Sequence, residues 1–163
     1  MSISIRPLQE ADIEGYHACL DVVARERRYL SMTAAPSFES SKAWILPHIH
    51  AGHPFYVASV ESRVIGWCDI TPMEREWFRH RGTLGMGVHP RHRRSGVGVA
   101  LLTAAINHAR SIKLERIELE VFSTNEAAIR LYEKVGFTPE ETKRNACKSD
   151  GFYQDIVLMA YPL

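Results

Sequence analysis

The 163-residue chain predicts a single-domain mixed α/β fold with a mostly antiparallel sheet. Two observations carry this. The apolar pattern switches repeatedly between period two and period 3.6, giving the order β-α-α-β-β-β-α-β-α-β-β. A basic Gly-x-Gly turn, Arg91–Gly98, lies between an apolar segment (Thr83–Val88) and a helix, and an alternating strand follows. That strand–helix–strand supplies one parallel pair with a right-handed crossover.

The elements follow in order. Ser2–Leu8 alternates Ile3 and Ile5 and reads as a strand that Pro7 ends. Asp12 to about Arg28 is helical, with Ile13, Tyr16, Leu20 and Val23 at helical spacing. Tyr29–Phe38 is a loop around Pro36. Ser40 is placed to cap a helix carrying Trp44 and Ile45 towards Ala51, and Gly52-His53-Pro54 ends it. Phe55–Val60 and Val64–Thr71 are strands joined by a tight turn at Glu61-Ser62-Arg63. Arg79–Val88 is a further strand. Its Gly82, Gly85 and Gly87 predict close backbone approach or a bulge. The third helix, Val99–Lys113, turns Leu101, Ala104, Ala105, His108 and Ile112, with Val97 before it, to one side. Arg116–Phe122 alternates cleanly through Ile117, Leu119 and Val121. Asn125–Val135 is a short helix with an apolar face of Ala128, Leu131, Tyr132 and Val135, stopped by Gly136. Thr142–Ala146 and Phe152–Ala160 form a closing hairpin around Lys148–Gly151. No repeat, linker or low-complexity stretch interrupts this order.

Bulk properties exclude several classes. A net charge of +1 argues against a general nucleic-acid binder, although Arg91–Arg94 is a local anion patch. No apolar run approaches a membrane span, and the N-terminus lacks signal-peptide regions. Cys19, Cys68 and Cys147 are odd in number and widely spaced, which predicts buried, reduced thiols in a cytoplasmic chain. His48-x-His50-x-x-His53 falls at a helix end with no Cys or carboxylate to complete a set, so no metal site is predicted.

The basic turn is the most informative stretch. Its glycines let backbone approach a ligand closely. Amides at a helix N-terminus attract phosphate oxygens, and Arg93 and Arg94 add cationic donors. The string is neither a Walker loop nor a complete Gly-x-Gly-x-x-Gly fingerprint. Arg93-Arg94-Ser95-Gly96-Val97-Gly98 resembles the Gln/Arg-x-x-Gly-x-Gly/Ala signature of the GNAT family of acetyl-CoA-dependent N-acetyltransferases. The string from Glu118 to Phe137, with Asn125, Tyr132 and Gly136, resembles that family's second block. Within the family the chain is most similar to small bacterial enzymes that acetylate amino acids and small amines.

The resemblance implies a fold in which the strands flanking the signature helix splay apart around pantetheine. Cofactor contacts then fall at Met86, Gly87, Val88, Arg93, Arg94, Ser95, Gly96, Val97, Gly98, Asn125 and Tyr132. Asn125 also reads as a helix cap. Spacing alone makes Tyr132 a packing residue; the resemblance makes it the acid that protonates the departing thiolate. Some members carry a basic glutamate where this chain has Gly82 beside Thr83, so no base is assigned. Glu74, Glu76 and His80 are near in sequence. The acceptor pocket is expected at Arg28, Tyr29, Phe38 and Tyr153. The implied reaction is direct transfer to a primary amine, such as an amino acid, in a ternary complex without metal. The alternatives are a protein N-terminal or lysine acetyltransferase and a non-catalytic acyl-CoA sensor. Relatives that dimerise through terminal strands or exposed helices imply a homodimer.

Overall fold

A computed structural model describes residues 2–163 and gives one seven-stranded sheet in the order β1-β2-β3-β4-β5-β7-β6. The strands are β1 Ser4–Pro7, β2 Phe55–Val60, β3 Arg63–Pro72, β4 Arg81–Val88, β5 Arg116–Phe122, β6 Thr138–Ser149 and β7 Phe152–Pro162. The helices are α1 Ile13–Arg25, α2 Phe38–Ala51, α3 Val97–Ser111 and α4 Glu126–Val135. The element order is the one the periodicity predicts. Every strand pair is antiparallel except β4 with β5.

Two apolar layers sandwich the sheet. Ile13, Tyr16, Leu20 and Val23 of α1 and Ile45 of α2 pack on Val57, Val64 and Trp67. Leu101, Leu102, Ala105 and Ile106 of α3 and Tyr132 of α4 pack on Cys68, Ile70, Leu84, Ile117 and Leu119. Strand β3 thus buries both faces: Trp67 enters one layer, and Cys68 and Ile70 the other. This explains its nearly continuous apolar run. Each such fully buried Ile or Leu contributes about 1.5–3 kcal/mol.

Several boundaries move. Helix α1 stops three residues before Arg28. Arg27 takes φ +55°, and its guanidinium donates to Asp150 at 2.7 Å, in the turn between β6 and β7. The α2 cap is Ser37, not Ser40: the Ser37 hydroxyl accepts from the Ser40 amide at 3.1 Å. Helix α3 starts at Val97, two residues early, and buries Val97, Leu101, Leu102, Ala105, Ile106 and Ala109. Ala104 and His108 are half-buried and Ile112 is exposed, because the buried stripe is centred on the Leu101, Leu102, Ala105, Ile106 and Ala109 side of the helix. A short 3-10 turn, Glu76–Phe78, precedes β4, which begins at Arg81. Strand β6 is longer than expected. It is an almost fully exposed edge, so no buried face produced an alternation to read. Cys19 and Cys68 are buried as expected, whereas Cys147 on β6 is half-buried.

Strands β4 and β5 pair in parallel only at Arg81 with Arg116, Gly82 with Ile117 and Thr83 with Glu118. Both strands continue, β4 to Val88 and β5 to Phe122, without pairing further. The sheet therefore opens into a V between them. The β4 glycines make no bulge: its register with β3 runs unbroken from Gly82 to Val88.

Candidate active site

Backbone parity shows what the V exposes. The His89 amide donates to the Ile65 carbonyl, and the Arg81 carbonyl accepts from the Met73 amide. Odd-numbered residues of β4 therefore turn their backbone groups to β3, and even-numbered ones turn theirs to β5. Past Thr83 there is no β5 partner, so Leu84, Met86 and Val88 present backbone groups to the gap. Gly87 lines the cleft, but its amide faces β3. A Cβ on Gly87 would stand 2.3 Å from the Trp67 ring, so this glycine is required for Trp67 to cover the strand.

The gap opens into a cleft of about 690 Å³ that passes through the sheet. On the α3/α4 face it is bounded by Arg94, Gly96, Gly98, Asn125 and Lys134. On the α1/α2 face it is bounded by Tyr29, Leu30, Ser31, Glu120, Phe122 and Ile156. The first end carries cations and the second a carboxylate.

The loop before α3 builds the cationic end. Gly96 has φ +85°, no atom lies within 4 Å of where its Cβ would be, and no side chain caps the helix. The first α3 amides, Val97, Gly98 and Val99, have no backbone acceptor among the described residues, which is the arrangement that binds phosphate oxygens. Val97 contributes only backbone, because its side chain is in the core. Ser95 is turned away: its hydroxyl donates to the His92 carbonyl at 2.6 Å, and it does not line the cleft. Arg93 lines the cleft, but its guanidinium is committed. Its Nη atoms donate to the Glu26 carboxylate at 2.9 and 2.6 Å and its Nε to the Val88 carbonyl at 2.9 Å. It also lies 4.8 Å from the Tyr29 ring centre. Arg93 thus ties the end of α1 to the end of β4. Arg94 is exposed and makes no salt bridge among the described residues, which leaves it as the free cation beside the α3 amides.

Across the V, Asn125 caps α4, its Oδ1 accepting from the Ala128 amide at 3.2 Å. Its side-chain NH2 is left for the cleft. Tyr132 is 8% exposed, packs edge-on to Phe137 at 5.7 Å and lines the cleft. Its hydroxyl makes no hydrogen bond within the described residues. Burial pushes its phenol well above the ordinary value, so it stays protonated and able to donate. The packing role and the cleft role coexist in one side chain.

The expected acceptor residues divide. Tyr29 joins the cleft. Arg28, Phe38 and Tyr153 do not line it: Phe38 packs edge-on to His17 at 5.8 Å, and Tyr153 sits under Lys148 at 5.1 Å. Phe38 starts α2 and Tyr153 is at the hairpin tip, whereas Arg28 is in the loop after α1, 5.6 Å from the Tyr29 ring centre. Glu120 and Asp69 went unread in the sequence. Glu120 sits on the strand face opposite Leu119 and accepts from Lys143 Nζ; alternation alone makes it a solvent-facing residue. His48 and His53 share an Nδ1···Nδ1 hydrogen bond of 2.9 Å where Trp44 and Phe55 pack on His48, and neither lines the cleft.

The acetyltransferase (GNAT) family model matches residues 20–137. Over 105 residues the chain is 33% identical to the L-amino acid N-acetyltransferase AaaT of Escherichia coli. That match spans 64% of this chain and 65% of that protein. It is 28% identical over 162 residues to the L-methionine sulfoximine/L-methionine sulfone acetyltransferase of Pseudomonas paraeruginosa, covering 98% of this chain and 94% of that one. A GNAT-family acetyltransferase from Streptococcus pneumoniae superposes with a TM-score of 0.92 at 26% identity, covering 99% of this chain and 100% of that one. A phosphinothricin acetyltransferase from Sinorhizobium meliloti, solved with AcCoA, has the same TM-score at 19% identity, covering 100% and 89%. With the V, the uncapped α3 terminus and the family match on one stretch of chain, this protein belongs to the acetyltransferase (GNAT) family.

Proposed function

We propose that this chain transfers the acetyl group of acetyl-CoA to the primary amine of a small molecule, an amino acid being the first class to test. The observation that carries this reading is the V through the sheet. A donor held on the α3/α4 face can reach an acceptor on the α1/α2 face only through that opening.

The residues fit the donor. The Val97, Gly98 and Val99 amides with Arg94 suit a pyrophosphate. The unpaired backbone of Met86 and the free amide of Val88, whose carbonyl is taken by Arg93, suit the pantetheine amides, replacing the missing strand. Asn125 and Lys134 flank the entry. Acetyl-CoA supplies an activated thioester carbonyl. Tyr132 holds a proton where the departing sulfur needs one. Removing that proton donor slows a thiolate's departure by typically about 10²–10⁴-fold. No cysteine replaces direct transfer. Cys68 is fully buried in the α3 layer, and burial pushes its thiol well up, away from the reactive thiolate.

The relatives named for L-amino acids and for L-methionine sulfone support a small zwitterionic acceptor. The test is thiol release from acetyl-CoA with a panel of amino acids, simple alkylamines and peptides. Saturable release with free amino acids is the expected result. Release with peptides alone would assign a protein acceptor. Cofactor binding without release on any amine would mark a sensor and end the catalytic reading.

A further inference from the structure

We propose that Asp69 is the base that takes the proton from the acceptor's ammonium group; this rests on the function proposed above. The chain has no carboxylate on β4, and Asp69 provides one from the neighbouring strand. It pairs with Gly85 in the register between β3 and β4, and Gly85 lines the cleft beyond the point where β4 and β5 part. A Cβ on Gly85 would lie 3.3 Å from Asp69 Oδ1. The carboxylate therefore leans over Gly85, which puts no side chain between it and the opening. Alternation puts it on the α1/α2 face with Trp67, the side on which Tyr29, Ser31 and Glu120 bound the cleft.

Its surroundings leave it free to act. Asp69 is 8% exposed, and no cation pairs with it among the described residues. Burial raises its carboxyl to about 7, and the Thr71 hydroxyl offsets this only in part. Tyr16 from α1 and Cys68 on the same strand are the other titratable groups that feel it. All three neighbours are neutral at physiological pH. A carboxylate tuned to neutral pH is matched to deprotonating an amine. Glu120, the carboxylate that lines the cleft itself, is half exposed and already paired with Lys143, whereas Asp69 sits just behind Gly85.

The proton balance closes. The acceptor's R–NH3⁺ gives one proton to Asp69, which passes it to solvent. The freed lone pair forms the C–N bond to the acetyl carbon as the C–S bond breaks. Sulfur gains a proton from Tyr132, which recovers one from the nitrogen as the amide forms. The net release is one proton.

The test compares wild type with Asp69→Asn, which keeps shape and removes the base. Acetyl-CoA affinity by calorimetry should stay within about threefold. With the best amino acid of the panel, kcat/KM should fall about 10²-fold or more and lose its acidic limb near neutral pH. Hydroxylamine, whose nitrogen is already neutral near neutral pH, should lose at least about tenfold less. A stability readout needs no acceptor. The folded carboxyl titrates at about 7 and the unfolded one at the ordinary 3.8. The folded state thus holds a proton that the unfolded state has lost, and its stability falls as pH rises through that window. Asp69→Asn escapes this fall, so its unfolding midpoint should gain on wild type between those pH values and hold the gain above. Equal losses on both nucleophiles, an unchanged kcat/KM, or an acidic limb removed by Glu120→Gln instead would overturn the proposal. A wild type that binds acetyl-CoA but acetylates no amine would overturn the function reading beneath it, and a missing pH-dependent stability gain would overturn the Asp69 assignment alone.

Discussion

Tyr132 packs in the core and lines the cleft, and the proposed function gives that one side chain a chemical role as well. Its ring belongs to the α3 layer and its hydroxyl reaches the cleft without a partner. Removing only the hydroxyl separates the two roles. Tyr132→Phe should lower kcat by about 10²-fold with acetyl-CoA affinity and unfolding midpoint little changed. Near-normal turnover would make Tyr132 a packing residue and nothing more. Its candidacy was legible because it sits seven residues after Asn125 in a recognisable block. Asp69 was not legible. An acidic residue amid Trp67, Cys68 and Ile70 looks like the solvent-facing step of a strand, and only its register with Gly85 places it beside the opening. The Arg93 side chain has a partner that the motif does not announce. The motif suggests a phosphate-binding cation, whereas the partner that holds it, Glu26, lies 67 residues earlier in the chain. No local pattern carries that contact.

At the scale of elements, the site depends on β4 being thin where it parts from β5. Trp67 lies against Gly87, so bulk added there must push either the ring or the strand. Gly87→Ala should destabilise the fold by about 1–3 kcal/mol. It should also raise the acetyl-CoA KM, because displaced β4 amides lose their aim. Thermal unfolding and steady-state kinetics on one preparation check both effects. A variant with native midpoint and native KM would show that β4 has slack to absorb a methyl group. Helices α1, α3 and α4 and strands β2 to β5 were readable, since each buries a periodic face. The ends were less so. Arg27 in a left-handed conformation and the exposed strand β6 are set by a tertiary contact and by solvent, and the Ser37 cap is a local choice among neighbouring serines; none leaves a periodic signature.

For the whole molecule, the sheet has two roles. It is the core between two helical layers and, in the proposed function, the wall through which donor and acceptor meet. The parallel pair was predictable from the strand–helix–strand order, but the extent of its pairing was not. Three residue pairs hold β4 to β5, and beyond them the two strands do not pair with each other. The charges follow the same division, with Arg94 and Lys134 on the donor face and Glu120 on the acceptor face. The most direct check on this arrangement is an acetyl-CoA titration of the 163-residue chain followed by amide NMR. Saturable shifts at Met86, Val88, Gly98 and Val99, with little change along the exposed edge β6, are the predicted result. Tight binding that leaves the Met86 and Val88 amides unmoved would contradict the account, because the V would then not be where the donor lies.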